Sequence, residues 1–251
     1  MSGGRVALLV VAGVAAYAIA LVATAPASWL AHAIERASDR VVELREPTGS
    51  LWSGSGRLYA RARAGSLLDL GGLRWETSWS EMHRLRLGVS LAIGGAQRPA
   101  ELQLSPSGLS VRRLSVSAPA EVITGFVPAL EGLGPRGTLR VRSEDMRIER
   151  DSTLGQAEIE WTDVRLARSP ELEFGSHIVR LRGSGPRVVI ELSSLGGPIR
   201  LSGTGTWSRE AGLDLSGAAE HDAQQASAMG VFLQGMCTTY RANRCEFRVR
   251  R

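Results

Sequence analysis

The sequence contains no lysine; all 30 of its basic residues are arginine. Aromatic residues make up only 5% of the chain, and it holds just two cysteines and four histidines. Each scarcity removes a class of function. A nucleic-acid binder gathers positive charge on one stripe and interleaves aromatics for stacking. Here the net charge is +5, but the arginines are spread along the chain with Glu and Asp nearby. That is the pattern of solvated strand faces, and no nucleic-acid partner is expected. His32, His83, His177 and His221 are scattered, and none stands four residues from another, the spacing that sets two imidazoles on one metal. Two thiols without matched histidines leave a zinc shell incomplete. No metal or cofactor is expected.

Motifs for catalysis are also missing. There is no Walker motif and no Cys-x-x-Cys, and Ser53-Gly54-Ser55-Gly56 lacks the Gly-x-Ser-x-Gly order of a nucleophile elbow. Gly132 to Gly137 does match Gly-x-Gly-x-x-Gly. Pro135, however, removes one backbone donor from any phosphate cradle. The alternation of Thr138 to Arg142 then reads as a strand where a dinucleotide site needs a helix N-terminus. A hydrolase would need convergent His, Asp or Ser groups, and the sequence offers no candidates.

What is present begins with an uncharged apolar run from Val6 to Ala25. Its length, about twenty residues, matches a helix spanning a hydrocarbon core ~30 Å thick. Signal-peptide cores are shorter. Ala23-Thr24-Ala25 and Ala25-Pro26-Ala27 offer small residues for cleavage, but Pro26 suits the first site poorly, and an uncleaved anchor is expected. Arg5 keeps its flank cytoplasmic and sends the remainder across the membrane. Trp29 falls just past the span, where an amphipathic ring suits the headgroup region.

The chain therefore divides into a cytoplasmic tip (1–5), a transmembrane anchor (6–25), a juxtamembrane helix (26–46) and a periplasmic β-rich domain (47–251). A seam between halves is placed near 132–137. In the juxtamembrane stretch Trp29, Leu30, Ala33, Ile34 and Ala37 form one helical face, and Pro47 ends it. Beyond, period-two alternation dominates: Arg84 to Ile93, Thr138 to Arg142, Ala157 to Trp161, Ile178 to Arg182, Arg187 to Leu192, Ile199 to Gly205, Leu213 to Leu215 and Cys245 to Val249. These read as half-buried antiparallel strands. Two strands change phase, at Leu109/Val111 to Leu114/Val116 and at Ile159/Trp161 to Val164/Leu166. A β-bulge or strand end is expected at each. Ala118 to Leu130 and Asp222 to Met236 read as short helices. The fold class is thus mainly β: an N-terminal transmembrane helix, then an extended, curved antiparallel sheet with one or two short helices. Cys237 and Cys245 are candidates for a disulfide closing a hairpin in an oxidising compartment. The alternative is two unbridged thiols.

The order of these features resembles a known family. After the apolar span comes Gly49-Ser50-Leu51-Trp52-Ser53-Gly54-Ser55-Gly56, then Leu73-Arg74-Trp75, Gly137-Thr138-Leu139-Arg140-Val141, Gly155 to Trp161, and Gly203-Thr204-Gly205-Thr206-Trp207. The series is similar to type II secretion system protein N, whose signature is G-x-(hydrophobic)-W-x-G-x-(small). The resemblance implies a non-enzymatic inner-membrane component, periplasmic in bulk, that supports export of folded proteins across the outer membrane. Its implied partners are other secretion components: inner-membrane platform proteins and the secretin. Leu51, Trp52, Gly54 and Gly56 are the candidate partner-contact residues, with a packed Trp beside a turn as the equal alternative. The style is also similar to β-rich periplasmic proteins of the AsmA type, which brings in lipid or another hydrophobic ligand as an alternative partner.

Overall fold

The computed structural model describes residues 3–62, 65–94, 96, 98–127, 132–167, 172–221, 237–241 and 243–250. The chain opens with helix α1 (Gly3–Ala23) and helix α2 (Ser28–Ala37). Strands then follow as β1 (Val42–Gly49), β2 (Ser53–Arg61), β3 (Leu67–Ser78), β4 (Leu87–Ile93), β5 (Ala100–Ser105) and β6 (Gly108–Pro119). A short turn of 3-10 helix and helix α3 (Ile123–Phe126) separate these from β7 (Pro135–Glu149). The remaining strands are β8 (Thr153–Leu166), β9 (Leu172–Gly185), β10 (Arg187–Gly196), β11 (Ile199–Ser208), β12 (Gly212–His221), β13 (Thr239–Arg241) and β14 (Arg244–Arg250).

All belong to one 14-stranded open sheet. From β1 to β12 every strand lies beside its sequence neighbours, so most connections are short turns and the longest, between β6 and β7, carries α3. The order changes only at the end, where β14 lies against β12 and β13 outside it.

Register sorts the side chains onto two faces. One carries apolar rungs such as Leu91 beside Trp75, Val116 beside Val141, Ile159 beside Val179 and Leu215 beside Val249. The other carries charge: Arg142 faces Glu158, Glu158 faces Arg180, and Arg180 faces Glu191. Opposite charges thus alternate across strands, which favours this register over a one-residue slip.

Packing on the apolar face is concentrated at the two ends. Under α2, Ala27 and Ala31 meet Leu44, Leu58, Leu73 and Trp75. At the far end Val164, Leu166, Phe174, Ile199, Ala219 and Cys245 form a second core. The first half of the sheet also rolls: β3 approaches β6, and Gly125 of α3 lies against Val41 and the Arg61 carbonyl.

Several expectations meet their outcome here. Both phase changes are real irregularities. Arg113 and Asp163, at the two points, adopt φ of 53°, and the β8–β9 register shifts between Trp161 and Val164. The juxtamembrane helix is shorter than expected. It stops at Ala37 and the sheet begins at Val42, because Pro47 sits in a bulge inside β1, between Arg45 and Thr48, and ends nothing. The strand expected from Arg84 starts only at Leu87. Met82–Arg84 form a 3-10 turn and Leu85 adopts φ 55°. No seam interrupts the ladder at 132–137, since β7 starts at Pro135 and pairs on both sides. The helix expected over Asp222 to Met236 lies outside the described residues. Only Ile123–Phe126 of the Ala118 to Leu130 stretch is α-helical among the described residues. The described side chains of α1 begin at Leu9, and from there to Ala23 a helix rises only ~22 Å. Among the described residues no helix is long and apolar enough to cross a membrane.

Candidate functional site: the joint between helix and sheet

The turn joining β1 to β2 contains the Leu51 to Gly56 signature, and its geometry follows from residue size. Gly54 sits directly across from Trp75 on β3, and Gly56 across from Leu73. A Cβ added at Gly54 would lie 2.5 Å from Trp75 Cζ2, and one at Gly56 2.7 Å from Leu44 Cδ1. Both glycines are therefore missing side chains whose space Trp75 and Leu44 occupy. Trp75 is only 2% exposed, and its indole N–H donates to the Ser50 carbonyl at 3.1 Å. That bond satisfies a buried donor and fixes the turn above the ring.

Leu51 and Trp52 point the other way, toward the helices. The Leu51 N–H donates to the Ala25 carbonyl at 2.8 Å, and the Ala27 N–H to the Gly49 carbonyl at 3.3 Å. The Trp52 indole N–H donates to the Val22 carbonyl at 2.9 Å, in the last turn of α1, where the Ala25 N–H also reaches that oxygen at 3.2 Å. The Trp52 carbonyl accepts from the Thr77 N–H at 2.8 Å. The ring packs on Trp79 with centroids 4.5 Å apart and planes tilted by 60°, a favourable aromatic arrangement. The signature thus stitches the end of the apolar helix to the first three strands. Of the four candidate contact residues, Gly54 and Gly56 are taken up inside the chain. Leu51 and Trp52 form the joint itself and stay half-buried.

Around the joint lies apolar surface that sequence reading missed. Trp79, Met82 and Leu85 on the β3–β4 connection are exposed, Leu85 by 70%, as is Trp29 on α2. Alternation had assigned Leu85 to the buried face of a strand. Its left-handed backbone turns it outward, and no period-two pattern reports that. His83, Arg84 and Arg86 lie in the same loop.

At the opposite end Cys237 and Cys245 are joined by a disulfide with Cα atoms 5.4 Å apart. Cys245 belongs to the second core, and Cys237 packs against it.

Chemically active groups are few and occupied. On β9 the buried His177 ring has Nδ1 3.0 Å from the Ser194 Oγ, a serine–histidine pair on paper. The Ser194 hydroxyl accepts from the Leu201 N–H at 2.6 Å and donates to the Ile199 carbonyl at 3.2 Å, so it is held as a strand connector. Burial lowers the His177 pKa, opposed by a hydrogen bond with the Phe174 backbone. Its Nε2 has no hydrogen-bond partner, so a charged ring would be costly there. On the charged face, hydrogen bonds from Arg61 and then Arg45 hold the Glu43 carboxyl below its usual range. Arg248 and then Arg250 do the same for Asp214. These are structural ion pairs at a solvated surface. Among the described residues no three His, Cys, Asp or Glu side chains gather as a metal site requires.

Comparisons with curated proteins and with solved structures return no match. A family model described as type II secretion system (T2SS), protein N, matches residues 40–243, from just before β1 to the turn entering β14. The match spans strands β1 to β13, the Leu51 to Gly56 signature and most of both cores, and the chain belongs to the family of type II secretion system protein N.

Proposed function

We propose that this chain is a non-enzymatic component of a type II secretion apparatus, held in the inner membrane by α1 with its sheet in the periplasm. It works by contact with inner-membrane platform proteins and the secretin, supporting export of folded proteins across the outer membrane. The observation that carries this reading is the family match over 40–243. The N-terminal helix supports the membrane part. Its described side chains from Leu9 to Val22 are apolar and exposed, and the uncharged run from Val6 to Ala25 has the length of a span. Trp29 and Trp79 sit around the exit of that helix, where rings of this kind favour the headgroup level. The His177–Ser194 pair, with the serine tied up in strand contacts, fits a structural role.

The test is a tagged full chain crosslinked in native membranes and purified. Secretion components are expected in the eluate, and their absence even after crosslinking overturns the proposal. A reporter fused after Arg251 that is active only outside the cytoplasm should be active. A silent one overturns the orientation.

A second reading, binding of lipid or another hydrophobic ligand, is favoured by one observation. Away from the two cores the apolar face is incompletely covered, with Leu104, Ile148 and Trp207 exposed. Native mass spectrometry of protein extracted in mild detergent should then retain acyl-chain adducts. Consistently bare protein removes this reading.

A further inference from the structure

The two edges of the sheet are finished differently. At the β1 edge the outward N–H of Val42 is taken by a side chain: the Ser38 Oγ accepts from it at 3.0 Å, while the Ser38 hydroxyl donates to the Ile34 carbonyl at 2.8 Å. Farther along, the segment from Ala25 to Ala27 pairs with residues 49–51, and α2 packs alongside. The bulge at Glu46 and Pro47 breaks the regular spacing between these two caps. This edge is closed to a further strand by devices that blunt sheet edges generally.

The β14 edge is finished for only half its length. β13 covers Arg244 to Glu246 and stops, and among the described residues no strand lies beside residues 247–250. The direction of the free groups follows from alternation. The Asn243 carbonyl accepts from His221, on the β12 side, whereas the Glu246 carbonyl accepts from Thr238, on the β13 side. Residues 245, 247 and 249 therefore serve β12, and the N–H and C=O groups of Arg248 and Arg250 point outward.

The side chains along this edge specify a partner. Phe247 and Val249 continue the apolar face, with Val249 44% exposed. Arg248 and Arg250 continue the charged face. Elsewhere on that face some arginines stand between acids on both flanking strands, as Arg180 does between Glu158 and Glu191 and Arg112 between Glu101 and Asp145, while others, such as Arg142 beside Glu158, have one. On β14, Arg248 and Arg250 share one acid, Asp214 on β12, at 2.8 and 3.1 Å. Among the described residues, no acid stands beside them on the outer flank.

We infer that the outer edge of β14, beyond β13, receives an added strand from another polypeptide, one that alternates apolar residues with glutamate or aspartate. The inference rests on the reading of the chain as an assembly component. Two copies of this chain joined antiparallel at this edge would set arginine against arginine, which destabilises a rung. The capped β1 edge gives a second copy nothing to continue. The partner is therefore a different chain, and addition is one-sided.

The probes are two synthetic peptides, Ser-Val-Glu-Val-Glu-Val-Ser and its counterpart with lysine for glutamate, each titrated by fluorescence anisotropy into the detergent-solubilised full chain. The glutamate peptide should bind and the lysine peptide should not. Arg248→Pro removes an outward N–H, a change that an edge strand tolerates, together with an exposed ion pair to Asp214 that Arg250 still makes and that contributes little at a solvated surface. It should leave the unfolding curve in place and weaken the glutamate peptide by about tenfold or more, as loss of one charged contact and one or two ladder bonds implies. Arg248→Ala, which keeps the backbone donor, should weaken it less. Equal binding of both peptides, no binding of either, or unchanged binding to Arg248→Pro overturns the inference, as does a dimer of this chain that Arg248→Pro dissolves. The membrane pull-down separates the two readings. If Arg248→Pro recovers secretion components as well as the unaltered chain does, the edge is wrong and the assembly role stands. If the unaltered chain recovers none, the assembly role falls first.

Discussion

Replacing Gly54 by alanine adds one methyl group at the most crowded point of the N-terminal core, and the structure sets the size of the effect. The new Cβ would stand 2.5 Å from Trp75 Cζ2 and 3.0 Å from Cη2, with the Thr48 carbonyl oxygen nearer still. One obstacle is backbone, so the turn cannot simply yield; the other is a ring 2% exposed and pinned by its bond to Ser50. Overpacking of this kind costs about 1–3 kcal/mol. If the ring shifts far enough to lose the Ser50 carbonyl, a buried donor is orphaned for about 1–3 kcal/mol more. A total near 3 kcal/mol lowers Tm by roughly 6–12 °C in a domain of this size. The assay is thermal unfolding of the detergent-solubilised chain followed by tryptophan fluorescence. Trp75→Phe in the Gly54→Ala background should recover part of the loss, because the smaller ring relieves the same clash, giving a coupling energy of about 0.5–3 kcal/mol. A melt within about 0.5 kcal/mol of the unaltered chain, or strictly additive single and double variants, would refute the account of the signature glycines as space for Trp75 and Leu44.

Three further outcomes are expected. Cys237→Ser opens a loop with a sequence separation of 8, which costs about 2–3 kcal/mol in the chain-entropy model. The loss should fall on the far core and leave the Trp75 environment unchanged, as residue-resolved hydrogen exchange would report. Trp52→Ala removes the bond to Val22 and the contact with Trp79, together about 1–3 kcal/mol; limited proteolysis should then cut faster between residues 22 and 27. The third concerns pH. Because the His177 pKa is lowered in the folded chain, the unfolded chain binds the extra proton more readily. Stability is therefore intact above the ordinary value of about 6.5 and declines as pH falls from there toward the folded pKa. Urea titrations at pH 7.5 and 5.5 should show this loss, and His177→Gln should flatten it; an unchanged slope in the variant would mean other groups are responsible.

The strands of the second half were legible because their alternation is unbroken and their turns carry glycine. Even the bulges could be placed, since a phase change between Val111 and Leu114, or Trp161 and Val164, has no other reading in a two-residue repeat. The start of the sheet was harder. Val42 to Gly49 contains Glu46 at φ 51° and Pro47, which look like a terminator when the bulge that absorbs them is not visible. The site was half legible: Leu51 to Gly56 stood out as a motif, but its partners Val22, Trp75 and Trp79 are distant in sequence, and only the register of β2 on β3 brings glycine opposite tryptophan. The contrast between the two edges was not legible at all, because it depends on the direction of individual carbonyls and on one serine hydroxyl.

Neighbour-only pairing also bears on how such a chain comes to be made. A chain that folds as it is made would present β1, then β2, then each later strand to a partner already standing, so that no segment waits long for a distant mate. The inversion at the end is the exception. β14 must slip between β12 and β13, and it can do so only after β13 has been delivered. Closure of the sheet there, and of the Cys237–Cys245 bond, therefore needs β13 and β14 together.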